Sequence, residues 1–329
     1  MKKFITRLLT YLLTSIFICT LFTACGGKKE KVVIYTSAAD FRIAHMSDAL
    51  TKQFPNYDFV IEYLPTSKHA AKLMAEGTNT ECDIVHDLAY LSLDELDKKG
   101  VLADLSSYDR SAYCDDVVKG YGYLPEIRVG GAIIVNPDVI KERNLDMPTS
   151  YEDLVKPEYK GLISMPNPKA TGSGYMFLKA LVNAWGEEKA YSYFDKLAAN
   201  VLQFTSSGNA PVNAASTKEV AIALGYTSDA VIKLNDGVKL QIVIPEEGSP
   251  FAMYGQAIVK GKESREAVKK VFDYLVGVYN YDVCKVFRPE QVFADKVFEV
   301  KNFPTNIKYA DMSNDTLSEK KRLLDKWKY

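Results

Sequence analysis

Three times within the first hundred residues, a short run of β-branched and aromatic residues passes through Ser, Thr or Asp into an amphipathic stretch. Lys31 to Tyr35 leads through Thr36-Ser37-Ala38-Ala39-Asp40 into a stripe of Ile43, Met46, Leu50 and Phe54. Phe59 to Tyr63 leads through Pro65-Thr66-Ser67 into Ala70, Leu73 and Met74, with Gly77 where a helix ends in a left-handed residue. Cys82 to His86 precedes a helix predicted over Leu91 to Lys99 and stopped by Gly100. Strands alternating with helix-period segments specify βα units around a parallel sheet.

A second set follows. Gly130 to Val135 reads as a strand, Asn136-Pro137 opens a short helix, and Leu162 to Met165 is a strand that leads into Thr171-Gly172-Ser173-Gly174 and a helix ended by Gly186. Glu187 to Ala199 has helical period, Ser206-Ser207-Gly208-Asn209 starts another helix, Val220 to Leu224 is a strand, and Lys239 to Ile244 another. Gln256 to Val259 is a strand, Ser264 to about Val286 a long helix, and Thr316 to Trp327 a charged terminal helix. No glycine-rich linker separates the halves, so the chain is expected to cross between two α/β lobes near Arg128 to Ala132 and near Ile244 to Gly255, leaving a cleft. The division expected is lobe 1 over residues 32–128, lobe 2 over 129–244, and a return to lobe 1 over 245–329.

The N-terminus sets location. Lys2, Lys3 and Arg7 precede an uncharged run from Leu8 to Ala24, too short for a spanning helix of about 20 residues and laid out as a signal peptide over residues 1–24. Residues 25–31 form a polar tether. Cys82, Cys114 and Cys284 are widely spaced and odd in number, with no CxxC or Cys/His cluster. Free thiols are expected, with one long-range bridge as the alternative. With 41 basic and 42 acidic residues the chain carries no electrostatic footprint for nucleic acid.

Chemistry concentrates at the helix starts. Ser37 and Ala38, Thr66 and Ser67, Thr171 to Gly174, and Ser206 and Ser207 each follow a strand end. There, unpaired backbone N–H groups and the positive end of a helix dipole face the crevice outside the sheet. Each Ser or Thr alone is as readily a helix cap, but several converging starts make an anion site without basic side chains. Asp87 beside His86, Tyr226 after a strand, and Glu246-Glu247 in the returning segment are further cleft candidates, whereas His45 and His69 read as helix residues for packing or surface. No GxSxG elbow, P-loop, dinucleotide fingerprint or HExxH is present, and neither a catalytic residue nor a cofactor or metal is expected.

These motifs resemble a family. Leu21-Phe22-Thr23-Ala24-Cys25 resembles a bacterial lipobox, which implies that Cys25 is lipidated and tethers an outward-facing protein to the cell membrane. Val33 to Ala38, Met165 to Pro168 with Thr171 to Tyr175, Phe204 to Val212, and Ile244 to Gly248 resemble the extracellular solute-binding proteins of ABC importers, in the branch that takes ferric iron, 2-aminoethylphosphonate, hexose phosphates and thiamine. The resemblance implies the two-lobed type 2 periplasmic-binding-protein fold, a small anionic solute in the cleft, a membrane permease as partner, and a monomer. It implies further that the Thr-Gly-Ser-Gly and Ser-Ser-Gly turns hold a phosphate or phosphonate while Asp229, Glu246 and Glu247 face the solute's other end. Iron binders of the branch carry two adjacent tyrosines where this chain has Gly225-Tyr226-Thr227. A ferric receptor with a synergistic anion is thus the alternative, and a secreted hydrolase a more distant one.

Overall fold

The computed structural model describes residues 29–329, so the expected signal peptide, Cys25 and most of the expected tether lie outside the described residues. Strand β1 (Glu30–Thr36) pairs in parallel with β2 (Tyr57–Tyr63) and β3 (Ile84–Ala89). Helices α1 (Asp40–Gln53), α2 (Thr66–Glu76) and α3 (Tyr90–Lys98) follow these strands in turn. From Val32 to Thr36 β1 is buried on both faces, as parallel strands covered by helices are.

Strand β4 (Leu124–Val135) joins the two halves of the molecule. Its first part, Leu124 to Gly130, pairs antiparallel with β9 (Phe251–Ile258), and its second part, Gly131 to Val135, pairs with β7 (Ile222–Tyr226). Helix α4 (Pro137–Glu142) follows at once; the Asn136 side chain caps it by accepting from the N–H groups of Asp138 and Val139, with Pro137 in the first turn. Beyond come β5 (Ile163–Pro166), α5 (Gly172–Trp185), α6 (Glu187–Ala198), β6 (Val201–Thr205), α7 (Ala210–Ser216), α8 (Thr227–Asn235) and β8 (Gln241–Val243). The strand order is β2-β1-β3-β9-β4-β7-β5-β6, with β8 on β4. One apolar core lies among β1, β3, β9 and their helices. A second gathers Ile133, Phe177, Phe194 and Ile222, and a smaller third lies behind Ala132, Val212 and Ala230. The fold is the two-lobed α/β arrangement of type 2 periplasmic binding proteins, lobes joined by crossing strands.

The crossing is tied at several points. Gly131 N–H donates to the Pro250 carbonyl (2.7 Å), the Ser249 hydroxyl donates to the Gly131 carbonyl (2.8 Å), and Ala310 N–H donates to the Ser249 carbonyl (2.9 Å).

Several expectations need correction. β4 and β9 begin earlier than their apolar patterning suggests, because Pro125 and the adjoining register shift interrupt the period of 2. The short strand β6 adds to the expected set. The long helix expected from Ser264 is α9 (Glu266–Tyr274) and α10 (Asn280–Val286) joined by a π-helical turn at Leu275–Tyr279. The terminal helix α11 (Leu317–Lys326) packs on lobe 2 and not on lobe 1: Leu323 and Trp327 enter the second core, the Tyr191 hydroxyl donates to the Leu323 carbonyl, and Arg322 pairs with Glu187. Apolar matching with Phe194 and Phe204 draws the segment there. Among the described residues no helix is long and apolar enough to cross a membrane. Cys82, Cys114 and Cys284 are free thiols, and burial pushes Cys82 and Cys284 far above the ordinary thiol range.

Candidate functional site

Four elements meet at the crossing. Ser173, 1% exposed, lies in the first turn of α5, and its hydroxyl donates to Thr171 Oγ1 (3.3 Å). Thr171 is the helix cap: its Oγ1 accepts from Gly174 N–H (2.9 Å) and donates to the Asn167 carbonyl (3.0 Å), so its hydroxyl is already committed. Tyr226 ends β7 opposite Gly131, and Tyr254 lies on β9 opposite Ala89 at the end of β3. Tyr226 and Ser173 Oγ close on Gly208 together, and the Tyr254 hydroxyl lies beside Gly172. Burial raises both phenols above their ordinary value, so they are neutral donors.

Two glycines shape this group. A Cβ on Gly208 would sit 2.7 Å from Ser173 Oγ, closer than side chains come, and 3.1 Å from the Tyr226 ring, a tight contact. A Cβ on Gly172 would meet only the Tyr254 hydroxyl at 3.9 Å, an ordinary contact that points into the site. Beside Gly172 and Tyr254 lies a cavity of about 80 Å³ lined also by Tyr90, Leu91, Asp94 and Met176. A larger depression of about 650 Å³ lies over Pro289 to Tyr309. It contains none of the strand ends or helix starts, so size does not mark the site.

Behind the lobe 1 helix start lies a buried polar layer. Thr36 Oγ1 accepts from Ala38 N–H (3.1 Å) and hydrogen-bonds His86 Nδ1 (3.0 Å), while Ser37 Oγ hydrogen-bonds His69 Nδ1 (3.0 Å). Arg42 pairs with Asp87 and, at 3.4 Å, with Glu126; Asp87 N–H donates to Glu126 Oε2 (2.7 Å). Burial holds His69 at about 4 and His86 at about 3, so both imidazoles are neutral at pH 7. Burial also raises Glu126, with the neighbouring Asp87 carboxylate adding to the shift.

The structure thus brings Ser173, Gly172 and Tyr226 together, with Gly174 in the same turn, and puts Ser37 and Ala38 at the start of α1. Asp87, left-handed at φ 53° and 2% exposed, is consumed by Arg42. Thr66 and Ser67 lie in the first turn of α2, whose cap position is Pro65, without a side-chain cap. Ser206 and Ser207 are exposed, and the Ser207 hydroxyl donates to Asn209 Oδ1 (2.6 Å). Glu246 is exposed. Glu247 accepts from Trp185 Nε1 (3.0 Å) at the far end of α5, about 18 Å along the helix from Ser173, so neither faces this group. Asp229, in the first turn of α8, is 3.7 Å from Arg288. Sequence reasoning missed Tyr254, Arg288 and Arg42, none of which carried a local signal; His69, expected as a helix residue for packing or surface, is buried in α2.

Residues 92–287 match the bacterial extracellular solute-binding proteins, more than half of the chain. The chain belongs to that family. A solute-binding protein captures a small solute outside the cytoplasm and works with an ABC-importer permease, without turning the solute over. An uncharacterized protein of Haemophilus influenzae is 26% identical over 265 residues, 76% of this chain and 73% of that one. The spermidine/putrescine-binding periplasmic protein of Escherichia coli is 29% identical over 256 residues, 76% of this chain and 63% of its own length. In fold, this solute-binding protein is similar to the periplasmic binding protein AfuA of Actinobacillus pleuropneumoniae, solved with fructose-6-phosphate bound: TM-score 0.78, 23% identity, 91% of this chain and 98% of that one. It is also similar to iron-bound HitA of Pseudomonas aeruginosa: TM-score 0.72, 17% identity, 84% and 90% covered.

Proposed function

We propose that this solute-binding protein captures a small phosphorylated or phosphonate solute and is held at the outer face of the membrane by lipid on Cys25. The observation that carries the solute class is the convergence of the Ser173, Tyr226 and Tyr254 hydroxyls at the start of α5, against a loop brought close by Gly208. Neutral donors and the positive end of a helix suit a compact oxyanion. The fold it shares with a protein solved with fructose-6-phosphate supports this reading. A polyamine would need free carboxylates, yet Asp87 and Glu126 face Arg42, Asp229 faces Arg288, and the cavity-lining Asp94 and Asp315 accept from the Tyr123 and Tyr175 hydroxyls. Calorimetric titration with fructose 6-phosphate, 2-aminoethylphosphonate and the unphosphorylated parent compounds tests the reading; equal binding with and without the phosphorus group overturns it.

Ferric iron is the second reading, favoured by Tyr226 and Tyr254 lying side by side although they are distant in sequence. Against it, burial keeps both phenols protonated, and among the described residues no group of three or more His, Cys, Asp or Glu is placed to hold a metal. Elemental analysis of the protein as purified decides between the two.

A further inference from the structure

Arg288 follows α10 in lobe 1, where the adjacent Phe287 packs on Phe41 and His45, yet its guanidinium reaches the start of α8 in lobe 2. There it donates to the Ser228 hydroxyl and stands 3.7 Å from Asp229. Its side chain is 12% exposed, and its charge acts on Tyr226 and Tyr254. Two polar atoms at this junction have no partner among the described residues: Arg288 Nε, and the hydroxyl of Thr227, fully buried in the first turn of α8. Buried donors left unpaired are costly, and here they adjoin a helix start that favours negative charge. The Asp229 carboxylate is the anion that now faces the guanidinium.

Building on the phosphorylated-solute reading, we propose that Arg288 is the counter-ion for the solute's anionic group, which takes the place of Asp229 and spans from Arg288 to the start of α8. Because Arg288 and α8 belong to different lobes, the same contact ties the anion's arrival to the apposition of the lobes. Asp229 is then a competitor for the guanidinium and not a ligand for the solute's other end.

The two roles predict opposite signs for one substitution. Titrations of the parent, Arg288→Gln, Arg288→Lys, Asp229→Asn and Ser173→Ala proteins with inorganic phosphate, fructose 6-phosphate and 2-aminoethylphosphonate read the effect. Arg288→Gln should weaken the phosphorus-bearing probes about ten- to a hundredfold, the range for a lost charge-assisted hydrogen bond, with Arg288→Lys between it and the parent. Asp229→Asn should tighten them several-fold. Weaker binding in Asp229→Asn, or affinity unchanged in Arg288→Gln while Ser173→Ala loses it, overturns the role of Arg288 and leaves the solute class standing. Binding of none of the three probes by the parent protein overturns both.

Discussion

Ser173 has a committed geometry at 1% exposure: its hydroxyl donates to the Thr171 cap, and with Tyr226 it closes on Gly208. Ser173→Ala leaves the cap bond from Gly174 intact, so stability should change by less than about 1 kcal/mol while affinity for a phosphorylated solute falls about tenfold or more. Calorimetry beside thermal unfolding separates the two effects. The two glycines should part company in the same pair of measurements. Gly208→Ala lowers the melting temperature, because its Cβ collides with Ser173 and Tyr226. Gly172→Ala, with room at 3.9 Å, keeps the melting temperature and weakens only solute binding. Titration adds a further residue-scale test. His69 at about 4 and His86 at about 3 lie below their ordinary value. The unfolded chain therefore takes up their protons first, and the stability they support is full above about pH 6.5 and lost as pH falls through about 4 for His69 and about 3 for His86, read from urea unfolding at each pH. Glu290 is fully buried with Gly130 N–H as donor, and burial raises it to about 7. Its folded form holds a proton the unfolded form has shed, so its contribution declines as pH rises from about 4.5 to 7. The stability of Glu290→Gln relative to the parent should therefore grow across that window by about 2–3 kcal/mol, read from urea unfolding at each pH. A flat difference would mean that Glu290 is not held protonated at the crossing.

Among the elements, α11 is the one whose position matters most beyond its own length. Trp327 is 2% exposed and meets Phe194 and Phe204 edge-on, so the end of the chain is part of the lobe 2 core although it follows a long segment that returns through lobe 1. Trp327→Ala should cost about 3–5 kcal/mol, visible as a lowered urea midpoint. A loss under about 1 kcal/mol would show that the terminal helix is only laid on the surface. The π-helical turn between α9 and α10 is the opposite case. Nothing in the apolar period announces it, because one inserted residue shifts the stripe by a single position and leaves both flanking helices amphipathic.

For the whole molecule, the crossing of β4 and β9, tied through Gly131, Pro250, Ser249 and Ala310, is narrow compared with the two cores it joins. Lobes linked by a few strands close by hinge rotation, so the radius of gyration should fall on saturation with a phosphorylated solute. Small-angle scattering that gives the same radius with and without solute would count against closure. The proposed lipid tether is tested at Cys25: Cys25→Ala should release the protein from the membrane fraction or leave it unprocessed, and unaltered membrane association with normal processing overturns it.

Much of this was legible in the amino-acid order alone. The βα alternation, the buried run Val32 to Tyr35, the capping role of Thr171 and Asn136 and the turn at Gly186 are local, set by side-chain period and backbone conformation within a few residues. Ser173 and Tyr226 were also legible as strand-end and helix-start residues. Only the tertiary structure paired Tyr226 with Tyr254, carried Arg288 across to Asp229, sent Glu247 to Trp185 and drew Trp327 into lobe 2. Each of those contacts joins residues tens to hundreds of positions apart, and which of them forms is decided by how two sheets and their helices fill space together, which no local pattern encodes.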